Sequence, residues 1–229
     1  MGDQVSISIG SAQFDAYRAT PKTTPRGGVV VFQEIFGVNA DIKATADWLA
    51  DEGYLALAPD LFWRQERNVS LSADIETDAQ KAFALMAAYD NNEGVGDIQA
   101  SIDYLRDAGC AKIGTIGFCL GGRMVYLAAC RTNGDAHASY YGVGIEGLLN
   151  EASAITAPTL IHIVGQDAFV PQAAQTAIRD GLAGHPTTHV HIYDGQDHAF
   201  ARHGGMHYDA AATALAHERT LSLFKDALG

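Results

Sequence analysis

The segment Gly117-Phe118-Cys119-Leu120-Gly121-Gly122 joins a β-rich run to a run with helical spacing. A nucleophile carried on so sharp a strand-to-helix turn needs small residues two positions before and two after it. Gly117 and Gly121 meet that demand. A helix starting here aims its positive dipole end and free amides at Cys119, which favours the thiolate, the reactive form of cysteine. The plain alternative is a small buried cysteine in a glycine-rich turn; the spacing in its strand–helix setting favours the nucleophile. Cys110 and Cys130 have no such setting and read as structural.

A thiol nucleophile needs a base, and the base needs an acid to orient it. Of nine histidines, His198 stands in Gly195-Gln196-Asp197-His198-Ala199-Phe200, immediately after the last β-rich run. His162, His189 and His191 lie inside strand patterns, His137 starts one, His185 is in a loop and His217 is in the final helical run. His203 and His207 are farther from the strand end. Asp167 follows the apolar run ending at Val164 and precedes Val170-Pro171 at a helix start. Capping that helix is its plain alternative, and Asp194 and Asp197 are rival acids close to the histidine in sequence. The expected triad is Cys119, Asp167 and His198, with His198 handling the thiol proton and Asp167 fixing its tautomer. The amides of Leu120 and Ile35 are the expected oxyanion donors.

Such a triad needs several strand ends brought to one edge. Glycine-bounded, β-branched Gly28–Phe32 predicts a buried strand. Asn39 predicts the cap of a helix running to about Glu52, with Gly53 as its stop. Further strands are expected over 55–58, 112–118, 137–141, 159–164 and 189–193, and 5–9 alternates like one. Helical patterns run over 72–89, 95–108, 121–130, 172–182 and 209–228. Strands separated by helices predict an α/β fold, with a mostly parallel sheet covered by helices on both faces. No repeat or linker divides residues 1–229, so one domain is expected. Functional residues of such sheets gather after the carboxyl ends of strands, where all three triad candidates fall. Nucleophile, acid, then histidine is the chain order of the α/β-hydrolase fold.

Asp and Glu outnumber Lys and Arg by 27 to 15, a formal charge of −12. A surface so acidic repels nucleic acid and anionic lipid and favours solubility, so neither is expected as a partner. An anionic substrate therefore has to be met by a local Arg or Lys cluster. No run approaches the roughly 20 apolar residues of a membrane span, and no secretory pattern is visible. The three cysteines form neither metal-ligand spacing nor an even framework. They point to a reducing compartment, the cytoplasm, with no metal. A monomer and a small homo-oligomer both remain open.

With these residues in place, the chain resembles the dienelactone hydrolase (carboxymethylenebutenolidase) family over nearly its full length. The likeness is carried, in order, by Gln33-Glu34-Ile35-Phe36-Gly37, Gly94-Val95-Gly96-Asp97, Gly117 to Gly122, Tyr140-Tyr141-Gly142-Val143-Gly144, Gly165-Gln166-Asp167 and His198-Ala199-Phe200-Ala201-Arg202. The resemblance implies that Glu34 exchanges partners between Arg202 and the thiol: an anionic substrate engages Arg202, and the released Glu34 takes the proton of Cys119. It also implies Phe36, Tyr140, Lys81 and Phe83 in substrate binding. The implied reaction opens an anionic lactone or ester through an acyl-thioester, with no metal or organic cofactor. For dienelactone the product is maleylacetate, in the degradation of (chloro)aromatic compounds.

The sequence departs from the family on the helix upstream of Gly94. Ala79 stands where the family has a second arginine, Lys81 is the nearest base, and Phe83 and Met86 occupy positions typical of Tyr and Trp. A broader esterase or lactonase with the same triad is therefore an alternative. A non-catalytic binding or redox-sensing protein built around Cys119 is a different class.

Overall fold

The computed structural model describes residues 2–229. Its strands are β1 (Asp3–Ile9), β2 (Ala12–Ala19), β3 (Gly28–Phe32), β4 (Leu55–Pro59), β5 (Ile113–Phe118), β6 (Ala136–Tyr140), β7 (Thr159–Val164) and β8 (Thr188–Tyr193). They form one sheet in the order β1-β2-β4-β3-β5-β6-β7-β8. From β4 to β8 all pairs are parallel, while β1 and β2 form an antiparallel extension. Every residue of β3, β4, β5, β6 and β7 is buried, because helices cover both faces and no position is left for a polar alternation.

The helices are α1 (Ala40–Asp51), α2 (Glu76–Ala87), α3 (Asn91–Asp107), α4 (Leu120–Arg131), α5 (Gln172–Gly181) and α6 (Ala210–Leu228). One face carries α1 and α6, joined where Trp48 stacks on His217 with ring centroids 4.2 Å apart. The other carries α3 and α4, which pack on each other across the central strands. Asn39 caps α1 as expected, its side chain accepting from the Ile42 amide at 3.2 Å, and Gly53 takes φ +97° just beyond the helix.

Four elements differ from expectation. Strand β2 was not foreseen; Gly10, at φ +57°, turns β1 back into it. Helix α3 begins at Asn91 rather than near 95, because the Asp90 carboxylate accepts from the Asn92 and Glu93 amides at 2.7 and 3.2 Å. Gly94 and Gly96 mask this start in the sequence, and at Gly94 a Cβ would strike the Tyr89 hydroxyl. Helix α2 begins at Glu76 rather than 72, and a 3-10 helix, Ile145–Ala154, follows β6.

The histidines of β6 and β7 are core residues. In β6, His137 Nδ1 lies 2.8 Å from Thr115 Oγ1, and burial pushes the ring down to about 4. In β7, His162 Nδ1 lies 2.9 Å from the Tyr193 hydroxyl, and burial pushes it well below the usual histidine range. Both are therefore neutral at physiological pH and have no role at the sheet's carboxyl edge.

Candidate active site

Cys119 links β5 to α4 with φ 56° and ψ −114°, backbone space that L-residues rarely occupy. The surrounding backbone holds it there. Its amide donates to the Tyr140 carbonyl at 3.0 Å, and its carbonyl accepts from Arg123 and Val143 at 3.2 and 3.3 Å. A Cβ at Gly121 would lie 2.5 Å from the Phe32 carbonyl oxygen, one at Gly122 2.6 Å from that of Tyr140, and one at Gly117 would strike the Gly121 carbonyl. The expected need for small residues is thus a contact between the elbow and the backbones of β3 and β6. Leu120 is the first residue of α4, so its amide has no acceptor within the helix. Gly121→Ala is expected to destabilise the fold by about 1–3 kcal/mol through overpacking, read as a lower denaturation midpoint at unchanged m-value.

Beside the cysteine stands the expected histidine–acid pair. His198 Nδ1 donates to Asp167 Oδ2 at 2.8 Å, and both side chains are nearly sealed from solvent. The other oxygen of Asp167 accepts from the Phe169 and Val170 amides at 2.8 and 3.2 Å. Asp167 therefore orients the ring and also caps the chain that leads into α5. The rival Asp197 accepts from the His198 amide at 2.6 Å and faces His207 instead. The imidazole is clasped edge-to-face by Phe169 and Tyr141, at centroid distances of 4.8 and 5.0 Å. Burial alone pushes His198 down, but Asp167 and the Cys119 thiol together outweigh it and raise the ring to about 10.

The raised value makes His198 a stabilising cation. Its contribution is complete below the unfolded-state value near 6.5 and is lost as pH climbs through about 10. Without Asp167, burial meets less opposition. In Asp167→Asn the ring is expected to titrate well below its wild-type value by NMR, and stability above pH 6 should lose part of its pH dependence. A ring still titrating near 10 in that variant would assign the shift to the thiol alone.

Across the site, Glu34 and Arg202 pair over 168 residues of sequence. Glu34 Oε2 accepts from Arg202 Nε and Nη2, both at 2.7 Å, while the buried Oε1 has no partner. The guanidinium also lies over the Phe36 ring, 5.1 Å from its centroid. Asp41 stands close by, accepting from the His203 amide at 3.1 Å. Burial and the nearby Glu34 raise it to about 6.

A cavity of about 470 Å³ opens between these groups, lined by Ile35, Phe36, Phe83, Cys119, His198 and Arg202 among others. Two expected substrate contacts do not reach it. Lys81 points away, its Nζ 2.6 Å from Glu66 Oε1. Tyr140 is buried beneath the site with its hydroxyl 2.7 Å from Thr220 Oγ1 of α6. The neighbouring Tyr141, at φ 38°, is the tyrosine against His198. Successive strand residues face opposite sides, so only one of this pair can face the site, and the sequence alone does not say which. Sequence reasoning also missed Phe169 and Arg123. The guanidinium of Arg123, one turn along α4, carries a buried Nε with no acceptor, and burial lowers it from the usual arginine range.

A cysteine on the strand–helix elbow of a mostly parallel sheet, followed in chain order by a paired aspartate and histidine at strand ends, defines an α/β-hydrolase fold. Comparison with known proteins narrows this. Residues 14–228 match the model of the dienelactone hydrolase family. The carboxymethylenebutenolidase of Pseudomonas putida is 40% identical over 210 residues, covering 91% of this chain and 89% of that protein. Carboxymethylenebutenolidase 1 of Cupriavidus pinatubonensis is 34% identical, covering 97% and 96%. A crystal structure from Klebsiella pneumoniae superposes with a TM-score of 0.86 at 29% identity, covering 98% of each chain. The chain belongs to the dienelactone hydrolase family and is a carboxylic ester hydrolase. No helix among the described residues is long and apolar enough to cross a membrane.

Proposed function

We propose that the chain opens lactones of the dienelactone type, with Cys119 as nucleophile, His198 as acid and base, and Asp167 as the orienting carboxylate. The observation that carries this reading is the 2.8 Å His198–Asp167 bond beside a cysteine held at positive φ on the elbow. The Cys119 thiolate adds to the lactone carbonyl, and the oxyanion is met by the Ile35 and Leu120 amides. The carbonyl C–O bond breaks and expels an enolate. The His198 imidazolium gives it a proton, leaving a neutral ring and an acyl-thioester. Neutral His198 then takes a proton from water as that water attacks the thioester. Collapse returns the thiolate and the imidazolium, so one water is consumed per ring opened. With dienelactone as substrate the product is maleylacetate, a step that belongs to cytoplasmic breakdown of (chloro)aromatic compounds. The reaction calls for no metal or organic cofactor.

Arg202 supplies the charge recognition, since an anionic substrate on a chain of net charge −12 needs a local cation. Arg202→Ala should lower turnover of anionic lactones about 10- to 150-fold, the loss of one charge-assisted contact, and lower that of neutral activated esters far less. Equal losses on both would make Arg202 structural. Cys119→Ala, folded, should have no hydrolytic turnover; retained turnover would end the thiol chemistry.

A specific observation favours each of two resting states. His198 raised to about 10 supports a standing thiolate–imidazolium pair. The unpartnered, buried Oε1 of Glu34 supports a gated thiol, whose proton passes to Glu34 once an anionic substrate takes Arg202. Thiolate ultraviolet absorbance, titrated with and without an anionic product analogue, separates them. Gating predicts an analogue-dependent rise that is absent in Glu34→Gln. A full thiolate in the free enzyme, unchanged by the analogue, would leave the ion pair.

A further inference from the structure

The polar side chains that line the cavity are Cys119, Asp197, His198, Arg202 and His207. The rest of the lining, with Ala79, Phe83, Met86 and Phe169 in it, carries no charged side chain. A second carboxylate placed there would be buried without a counter-ion, which is costly. The nearest cation along α2, Lys81, is committed to Glu66 outside the cavity. A cavity of 150 Å³ in a protein core holds a benzene ring, so the 470 Å³ here exceeds what a small lactone bearing one carboxylate fills. Phe83 and Phe169 stand at the mouth, 47% and 50% exposed, with ring centroids 6.2 Å apart and planes tilted by 33°. Among the described residues only six large apolar side chains are exposed, and two of them meet here. Such a pair leaves apolar surface in water until a ligand covers it.

We infer that the substrate carries one carboxylate, held by Arg202, and an apolar substituent of about aromatic-ring size, seated between Phe83, Met86 and Phe169. The inference rests on the hydrolytic reading above and names the substrate class of that same site. The substituent lies on the side of the scissile carbonyl away from Arg202, so it selects the substrate without touching the reacting atoms. Phe169 also packs on His198, so an occupied apolar end presses on the ring that carries the proton. Ala79 leaves the space that a longer side chain on α2 would fill.

The test compares three enol lactones on the wild-type enzyme. Each carries one carboxylate and differs only in hydrogen, phenyl or a second carboxylate at the remote position. Burying a phenyl group predicts kcat/KM about 10- to 100-fold higher for the phenyl lactone than for the hydrogen one, with the dicarboxylate slowest. Phe83→Ala should remove most of the phenyl advantage, and Ala79→Arg should reverse the order of phenyl and second carboxylate. Equal kcat/KM across the series, or a preference for the dicarboxylate, overturns the inference while leaving the hydrolase reading intact. 4-Nitrophenyl acetate serves as the control for the thiol chemistry. If neither it nor any lactone is turned over, the hydrolase reading fails, and binding decides the pocket separately. A Kd for 3-phenylpropanoate about 10-fold or more below that for propanoate supports the apolar seat, and equal Kd values refute it.

Discussion

The structure turns on one backbone constraint, the positive φ of Cys119. A non-glycine residue in that region carries about 1–3 kcal/mol of strain, and it persists only where its surroundings over-determine it. Here the surroundings are three close backbone approaches, possible because Gly117, Gly121 and Gly122 have no Cβ. They bring the carbonyls of Phe32 and Tyr140 against the start of α4, so β3, β5 and β6 must end at one level around it. Fixing those strand ends fixes Ile35 after β3 and Tyr141 after β6. The continuing parallel order to β7 and β8 then delivers Asp167 and His198 to the same edge.

Electrostatics at that edge is a contest between burial and pairing. His198 would be driven neutral by its surroundings; the carboxylate and thiol beside it reverse the outcome. Glu34 keeps its charge company in Arg202, which is itself half enclosed beneath Phe36. Each arm of the site comes from a different loop, and the Glu34–Arg202 pair closes the circuit between the loops after β3 and β8. A chain of net charge −12 thus places one arginine, Arg202, in the lining of this largely apolar cavity.

Much of this was legible in the sequence, for physical reasons that differ by residue. The parallel core strands announce themselves as unbroken apolar runs, since both faces are covered. The elbow is legible because close backbone approach demands glycine. Asp167 and His198 are legible because each follows a strand. The structure brings them into contact as the fold's chain order requires. Tyr140 and Lys81 misled because facing direction is set by pleat and helix phase, which a residue type does not carry. Lys81 lies only two positions from Ala79, yet that rotation turns it out of the cavity to Glu66. Helix α3 hid behind Gly94 and Gly96, whose low helix propensity is overridden by packing against Tyr89 and by the Asp90 cap. Phe169 gave no signal at all: its role depends on lying across from Phe83, far away in the chain.

The claim on which this picture depends is that a covalent bond forms between substrate acyl carbon and Cys119. Rapid acid quench of the enzyme during turnover of a slow ester, followed by peptide mass spectrometry, measures it directly. The prediction is an added mass equal to the acyl group on the peptide containing Cys119, released by hydroxylamine as a thioester is. Turnover with that peptide unmodified throughout, or with the acyl group on another residue, would contradict it.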